Sequence, residues 1–377
     1  MEFTRYLYAK DEVEYSFTIS LLNKKEEANF WAFELLYSGF KEELIELIWT
    51  TYYDFYYSKN PGYEKYLLTK FKEIDKCSTL DSDINTECNI ECSKIFYTII
   101  SNMMIRPCSL DVFILKKNVL DGVYHGPPIE MNANIKQIIK DAISKDDHIL
   151  VSHIILHYSN NAINSDKDNI SILKILISIF IDKGLFLDES KILKEYNKMV
   201  KIHNDPKTLL LSRYANYTSV SKRMNQGKNI YLRIDFDTIN MYNQTYSSEK
   251  PFKILSKACI YNIDNNNYLS LFTLKRETEN IENAYKYNWL YHASFAPIWK
   301  KRIEEYKGLI DSKERKVIFE TDELEEDFYN KYGYEPDEQC AETQNKSIQK
   351  IVSQRTWSSF YAEHKNNGFL MNNKIIY

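Results

Sequence analysis

The sequence predicts a mainly α-helical protein: an N-terminal part built of antiparallel, HEAT-like helix hairpins and a C-terminal part that is mixed α+β. Three observations carry that expectation. Turn formers are scarce, with 9 Gly and 8 Pro in 377 residues against average usage of roughly 7% and 5%, so helices should be long and connections brief. Apolar residues recur at three- and four-residue spacing from the N-terminus to Phe55, which keeps them on one helical face. Beyond Gly227 apolar and polar residues alternate instead, as they do in half-buried strands.

The elements follow in order. Val13, Phe17 and Leu21 predict a helix over 10–23. Ala28, Trp31 and Leu35 predict a second over 25–38, closed by Gly39 in a left-handed cap. Leu44, Ile48, Tyr52 and Phe55 predict a third over 41–58, stopping at Asn60-Pro61-Gly62. Connections this short make neighbours antiparallel and place Trp31 and Trp49 in the core. No fixed sequence period appears, so a HEAT-type stack and an irregular bundle both remain open. A loop-rich interval over 76–89 precedes a helix through Cys92, Tyr97 and Ile100, and Gly122, Gly126, Pro127 and Pro128 mark a linker. Further helices are expected at 135–144, 147–158, 170–181 and 190–201, the second opened by Asp146 and Asp147. Strands are expected at 229–236 and 268–275, a hairpin over 309–319 turning at 311–314, and helices at 281–295, 297–306 and 322–332. This divides the chain into a helical-hairpin domain (1–120), a second helical unit (129–226) and an α+β region (227–377).

Composition limits the classes of function. Hydrophobic residues at 44% and charged residues at 27% are ordinary globular usage, so the chain should fold. The apolar stretch over 170–187 is broken by Lys174, Asp182 and Lys183 and reads as a buried helix, with no membrane partner expected. The N-terminus has neither the basic start nor the apolar core of a secretory signal, and six Cys without one fit reduced thiols in a cytosolic setting. A net charge of −4 announces no nucleic-acid partner for the whole chain. Locally the balance differs: Lys201, Lys207, Arg213, Lys222, Arg223 and Lys228 stand against Asp205 alone.

That basic interval supplies the candidate RNA contacts, namely Arg213, Tyr214, Tyr217, Lys222, Arg223 and Lys228, because cations suit phosphates and rings suit unstacked bases. The competing reading is a solvated inter-domain segment. Catalytic, cofactor and metal sites are not expected. His153 and His157 have metal-ligand spacing, but Ile154 stands where a zinc protease needs its Glu. Cys77, Cys88, Cys92 and Cys108 lack a CxxC knuckle and read as buried thiols. Asp235 and Asp237 flank Phe236 on one face of an expected strand, yet no phosphate loop or basic clamp accompanies them. They leave a divergent metal-dependent nucleic-acid enzyme as the one enzymatic alternative.

Finally, FWAFELLYSGF (residues 30–40), YDFY (53–56) and YNWLYHASFAPIW (287–299) resemble an uncharacterised family encoded by nucleocytoplasmic large DNA viruses, mimivirus relatives in particular. The resemblance implies a viral protein in the host cytoplasm, at the viral factory, acting as a non-catalytic scaffold in gene expression. One form would be an analogue of the large scaffold subunit of the cap-binding translation initiation complex. That subunit grips its partner through Tyr, four residues, Leu and an apolar residue, which points to Tyr285, Leu290 and Tyr291 as partner contacts. A virion or nucleoid structural component is the alternative that shares these features.

Overall fold

The computed structural model describes residues 1–76, 87–120, 134–157, 165–203, 205–219, 281–333 and 340–342. Of these, 72% are helical, in fifteen α-helices, with one small two-stranded sheet near the C-terminal end. In chain order they are α1 (Lys10–Leu22), α2 (Glu27–Tyr37), α3 (Lys41–Thr51), a π-helical turn (Tyr52–Tyr56), α4 (Tyr63–Lys76), α5 (Glu87–Met104) and α6 (Asp111–Leu120). Then come α7 (Ile135–Ser144), α8 (His148–His157), α9 (Ser165–Asp182), α10 (Glu189–Val200) and α11 (Pro206–Ser219). The last group is α12 (Ile281–Lys286), α13 (Trp289–Ala293), α14 (Pro297–Glu305), β1 (Leu309–Asp311), β2 (Lys316–Ile318) and α15 (Asp322–Tyr332). They pack as two compact units, each discontinuous in sequence. Of the described residues, the first draws on 1–47, 66–76, 87–105, 281–333 and 340–342, and the second on 48–65, 106–120, 134–157, 165–203 and 205–219.

In the first unit, α1 and α2 lie along each other and both pack on α5. Only residues 23–26 join the pair, so they run antiparallel. Trp31 is buried as expected, edge-on to Tyr8 at 5.3 Å. Gly39 closes α2 at φ +93, with its N–H donated to the Leu36 carbonyl and the Phe40 N–H to that of Leu35. That pair of bonds satisfies carbonyls a helix end leaves open, and it needs a left-handed residue. The same glycine abuts α14: a Cβ there would fall 2.6 Å from the Pro297 Cβ. The segment preceding α1 is buried too, with Arg5 paired to Glu34 at 3.2 Å and the Thr4 carbonyl accepting from the Trp299 indole at 3.0 Å. Phe3 stacks on Tyr285 at 4.6 Å.

The second unit is centred on α11, which packs against α6, α8, α9, α10 and the π turn. Trp49 is buried at its edge, stacked on Tyr53 at 5.7 Å. The expected helix over 41–58 widens at its end, where the Tyr57 N–H bonds the carbonyl of Tyr52 five residues back at 2.8 Å. A turn of that width displaces carbonyls from the helical ladder. Two carbonyls of this segment are bonded from elsewhere in the unit: the Ser109 N–H reaches the Phe55 carbonyl at 2.7 Å, and the Asn216 amide that of Ser58 at 2.8 Å.

Several sequence expectations need correction. The stretch over 170–187 is not one helix: α9 ends at Asp182, and Gly184 at φ +89 turns the chain outward. The helix expected over 281–295 breaks at Tyr287–Asn288, so that the short α13 buries Trp289, Leu290, His292 and Ala293. Within the interval from Lys201, Pro206–Ser219 is no solvated connection but the helix α11, most of it buried. The C-terminal hairpin pairs Leu309 with Ile318 and Asp311 with Lys316, with the turn held by the Asp311 carboxylate accepting the N–H groups of Lys313 and Glu314. The strands expected at 229–236 and 268–275 and the linker at 121–128 lie outside the described residues.

Candidate functional site

Of the six residues singled out as RNA contacts, the three that the structure describes turn inward. Arg213, Tyr214 and Tyr217 sit on α11 and all three are buried, so none offers a surface to a nucleic acid in this structure. Lys222, Arg223 and Lys228 lie outside the described residues. What α11 builds instead is an enclosed polar cluster against the π turn. Arg213 lies 3.5 Å from Glu64 of α4, donates to the Leu209 carbonyl at 3.2 Å, and sits over the rings of Tyr57 and Tyr196 at 5.2 and 5.3 Å. Tyr53 donates its hydroxyl to the same Glu64 carboxylate at 2.8 Å and stacks on His203 at 5.2 Å. Burial pushes the Glu64 carboxyl above its ordinary value, and the neighbouring guanidinium only partly opposes this. Beside it Lys116 reaches Asp54 at 2.9 Å, and burial again raises the carboxyl despite the ammonium.

The cluster pairs its charged groups internally: the carboxylate has a cation and a hydroxyl, and the cation has aromatic faces. Its chemistry is that of a structural lock between α11, α4 and the π turn. A second enclosed contact joins His148 Nδ1 to the Tyr214 hydroxyl at 2.6 Å, with Asp147 capping α8 through the Leu150 N–H. Burial lowers the His148 pKa, outweighing Asp146 and Asp147, and so favours the neutral imidazole beside the phenol.

The proposed partner contacts are also largely interior. Tyr285 and Leu290 are buried, and Tyr291 is half-buried against Phe295 at 5.2 Å. The rings of His153 and His157 lie 4.5 Å apart on α8. Among the described residues, however, no group of three or more His, Cys, Asp or Glu is placed to hold a metal. Cys92 and Cys108 are buried. Cys77, Asp235 and Asp237 lie outside the described residues, and Cys88 falls in the first turn of α5. No described helix is long and apolar enough to cross a membrane.

What the sequence reading missed is the outer face of the C-terminal hairpin. Of the nine large apolar side chains exposed among the described residues, five fall between Tyr287 and Ile318: Tyr287, Phe295, Leu309, Ile310 and Ile318. Leu309, 74% exposed, and Ile318, 47% exposed, stand directly opposite each other in register and therefore on one face of the sheet. The next pairs along that face are ionic or polar, with Lys307 bonded to Glu320 at 2.9 Å on one side and Asp311 facing Lys316 on the other. Immediately beyond, Glu320, Asp322, Glu323, Glu325, Glu326 and Asp327 are all exposed. Behind them α15 turns Phe328 and Tyr332 inward onto Phe319, Trp299 and Tyr306. The available signal was two short apolar runs, Leu309-Ile310 and Val317-Ile318-Phe319, on either side of a charged turn, which fits a strand pair but does not say which face is covered. No family model, no curated protein and no solved structure matches this chain.

Proposed function

We propose that the protein is a non-catalytic helical scaffold, HEAT-like in its N-terminal part, that assembles proteins of viral gene expression in the host cytoplasm. We further propose that the β1–β2 hairpin is where one of them docks. The observation that carries this reading is the Leu309–Ile318 pair, held in the open on a turn fixed by Asp311. Apolar side chains left exposed in register, bordered by polar pairs, have the core-and-rim composition of a protein interface. The six carboxylates between Glu320 and Asp327 specify the occupant by complementarity: a partner protein presenting apolar side chains beside basic ones. The Tyr285–Leu290–Tyr291 spacing plays no docking role in this reading, since its first two members are core residues. The viral setting is supported by the phrases over 30–40, 53–56 and 287–299.

Affinity purification from infected cells, with wild type and with Leu309→Ser/Ile318→Ser, tests it. The reading expects translation or transcription factors with wild type and their loss with the variant. Capsid or core proteins in their place would overturn it in favour of a virion component.

A further inference from the structure

A second surface lies on α10, in the second unit. This helix is capped by Asp188, whose carboxylate accepts the Lys191 N–H at 3.0 Å, and it turns Tyr196 and Met199 into the protein. On the opposite side stand Lys191, Lys194 and Lys198, continued by Lys201, all exposed. Their spacing of three, four and three residues places the four ammonium groups in one row, with neighbours about 5–6 Å apart at Cβ. No described carboxylate lies within ion-pair distance of any of them. The acidic residues facing this region are Glu64 of α4, whose charge acts on Lys198 beyond ion-pair distance, Glu195 at the margin of the row, Glu189 in the first turn, and Asp182 before the loop. The Asp188 carboxylate is committed to the cap.

At the head of the row the chain leaves α9 through a fixed turn. The Gly184 N–H bonds the Ile181 carbonyl at 2.8 Å and the Leu185 N–H that of Phe180 at 2.9 Å. This turn delivers Phe186 fully into solvent, two residues ahead of the Asp188 cap. An exposed ring at the end of an exposed row of cations is the combination that tracks a phosphate backbone while stacking a base. A membrane surface fits less well, because an interfacial helix inserts its apolar face and that face of α10 is already packed inside the protein.

We infer that the exposed face of α10, with Phe186 at its head, is a binding surface for single-stranded nucleic acid, with phosphates along Lys191, Lys194, Lys198 and Lys201 and a base on Phe186. The inference extends the scaffold reading by giving it a nucleic-acid partner. Its test uses purified protein, so it succeeds or fails independently of which proteins the hairpin recovers.

The experiment is fluorescence anisotropy of the full chain with labelled oligo-U RNA and oligo-dT DNA over a range of salt. Wild type is expected to bind both, since lysines read phosphate rather than sugar. Lys191→Ala/Lys194→Ala/Lys198→Ala should flatten the log–log salt slope by about 2, at roughly 0.7 per phosphate contact. Phe186→Ser should weaken binding about 5- to 100-fold with the slope unchanged, as expected for a lost stacking platform. All the altered side chains are solvated, so circular dichroism should match wild type, and the Lys→Arg triple variant should retain binding. Affinity and slope unaltered in both variants would overturn the assignment. So would binding to phosphatidylserine vesicles without binding to either oligonucleotide.

Discussion

Replacing Arg213 by Met tests the inward-facing reading of α11 because it removes the charge while keeping most of the aliphatic volume. In the folded chain this guanidinium is the cation beside Glu64, a carboxylate only 12% exposed, and Arg213 itself is 3% exposed. Removing one partner of a buried ion pair strands the other, at a cost of about 3–5 kcal/mol. At about 1.4 kcal/mol per factor of ten, that lowers the hydrogen-exchange protection of α11 amides by roughly 10²- to 10⁴-fold at pH 7. The loss should depend on pH in a definite direction. Burial already raises the Glu64 pKa, and loss of the cation raises it further. A carboxyl raised on folding contributes stability that is fully present below its unfolded pKa and is lost as pH rises through the folded one. The variant should therefore approach wild type in acid and fall away toward neutrality. Adding Glu64→Gln should restore part of the protection, since the stranded charge is gone. Protection of α11 within about twofold of wild type at pH 7, with no pH trend, is what a solvated arginine gives, and it would refute the buried cluster.

Three further outcomes are expected. Trp31→Ala should destabilise the protein by about 3–5 kcal/mol, as for other large core aromatics, and an unshifted thermal melt would contradict its burial. Gly39→Ala should cost more than the roughly 1–2 kcal/mol of a left-handed non-glycine residue, because the added methyl also meets Pro297; a loss no larger than that baseline would show that the Pro297 contact yields. Asp111 is buried, and burial pushes its carboxyl up to about 6 despite a contact with Ser109. Against an unfolded value near 3.9 that is about 3 kcal/mol of stability present in acid and lost between roughly pH 4 and pH 6, so Asp111→Asn should be the more stable form at pH 7 in urea titrations. Equal midpoints for Asp111→Asn and wild type at pH 7 would show that the carboxyl is not strained by burial.

Local signals carried much of the fold. The helices at 135–144 and 322–332 match the expected bounds, and the 309–319 hairpin turns where Asp311 permits an Asx turn. Gly39 was legible because a helix that must stop before a second apolar run needs a left-handed residue there. Long-range partnership was not legible. Arg213 reads as a surface cation beside Lys207 and Lys222 because nothing nearby in sequence reveals Glu64, Tyr57 or Tyr196 as its surroundings. The Asp205-Pro206 start of α11 was an available helix signal, with the Asp205 carboxylate accepting the Thr208 N–H at 3.0 Å. The exposed surfaces were also missed: the apolar pattern names a face but not whether another element covers it, and Leu309 and Phe186 are exposed only because none does.

The docking role of the hairpin is tested most directly by placing a photo-cross-linking amino acid at position 318 and irradiating infected cells. Mass spectrometry then identifies the adduct. A discrete adduct with a gene-expression protein is expected, joined through a segment rich in Lys or Arg and apolar residues, and suppressed when Leu309 is changed to Ser. An adduct only with a second copy of this chain, only with capsid protein, or none above the irradiated background would contradict it.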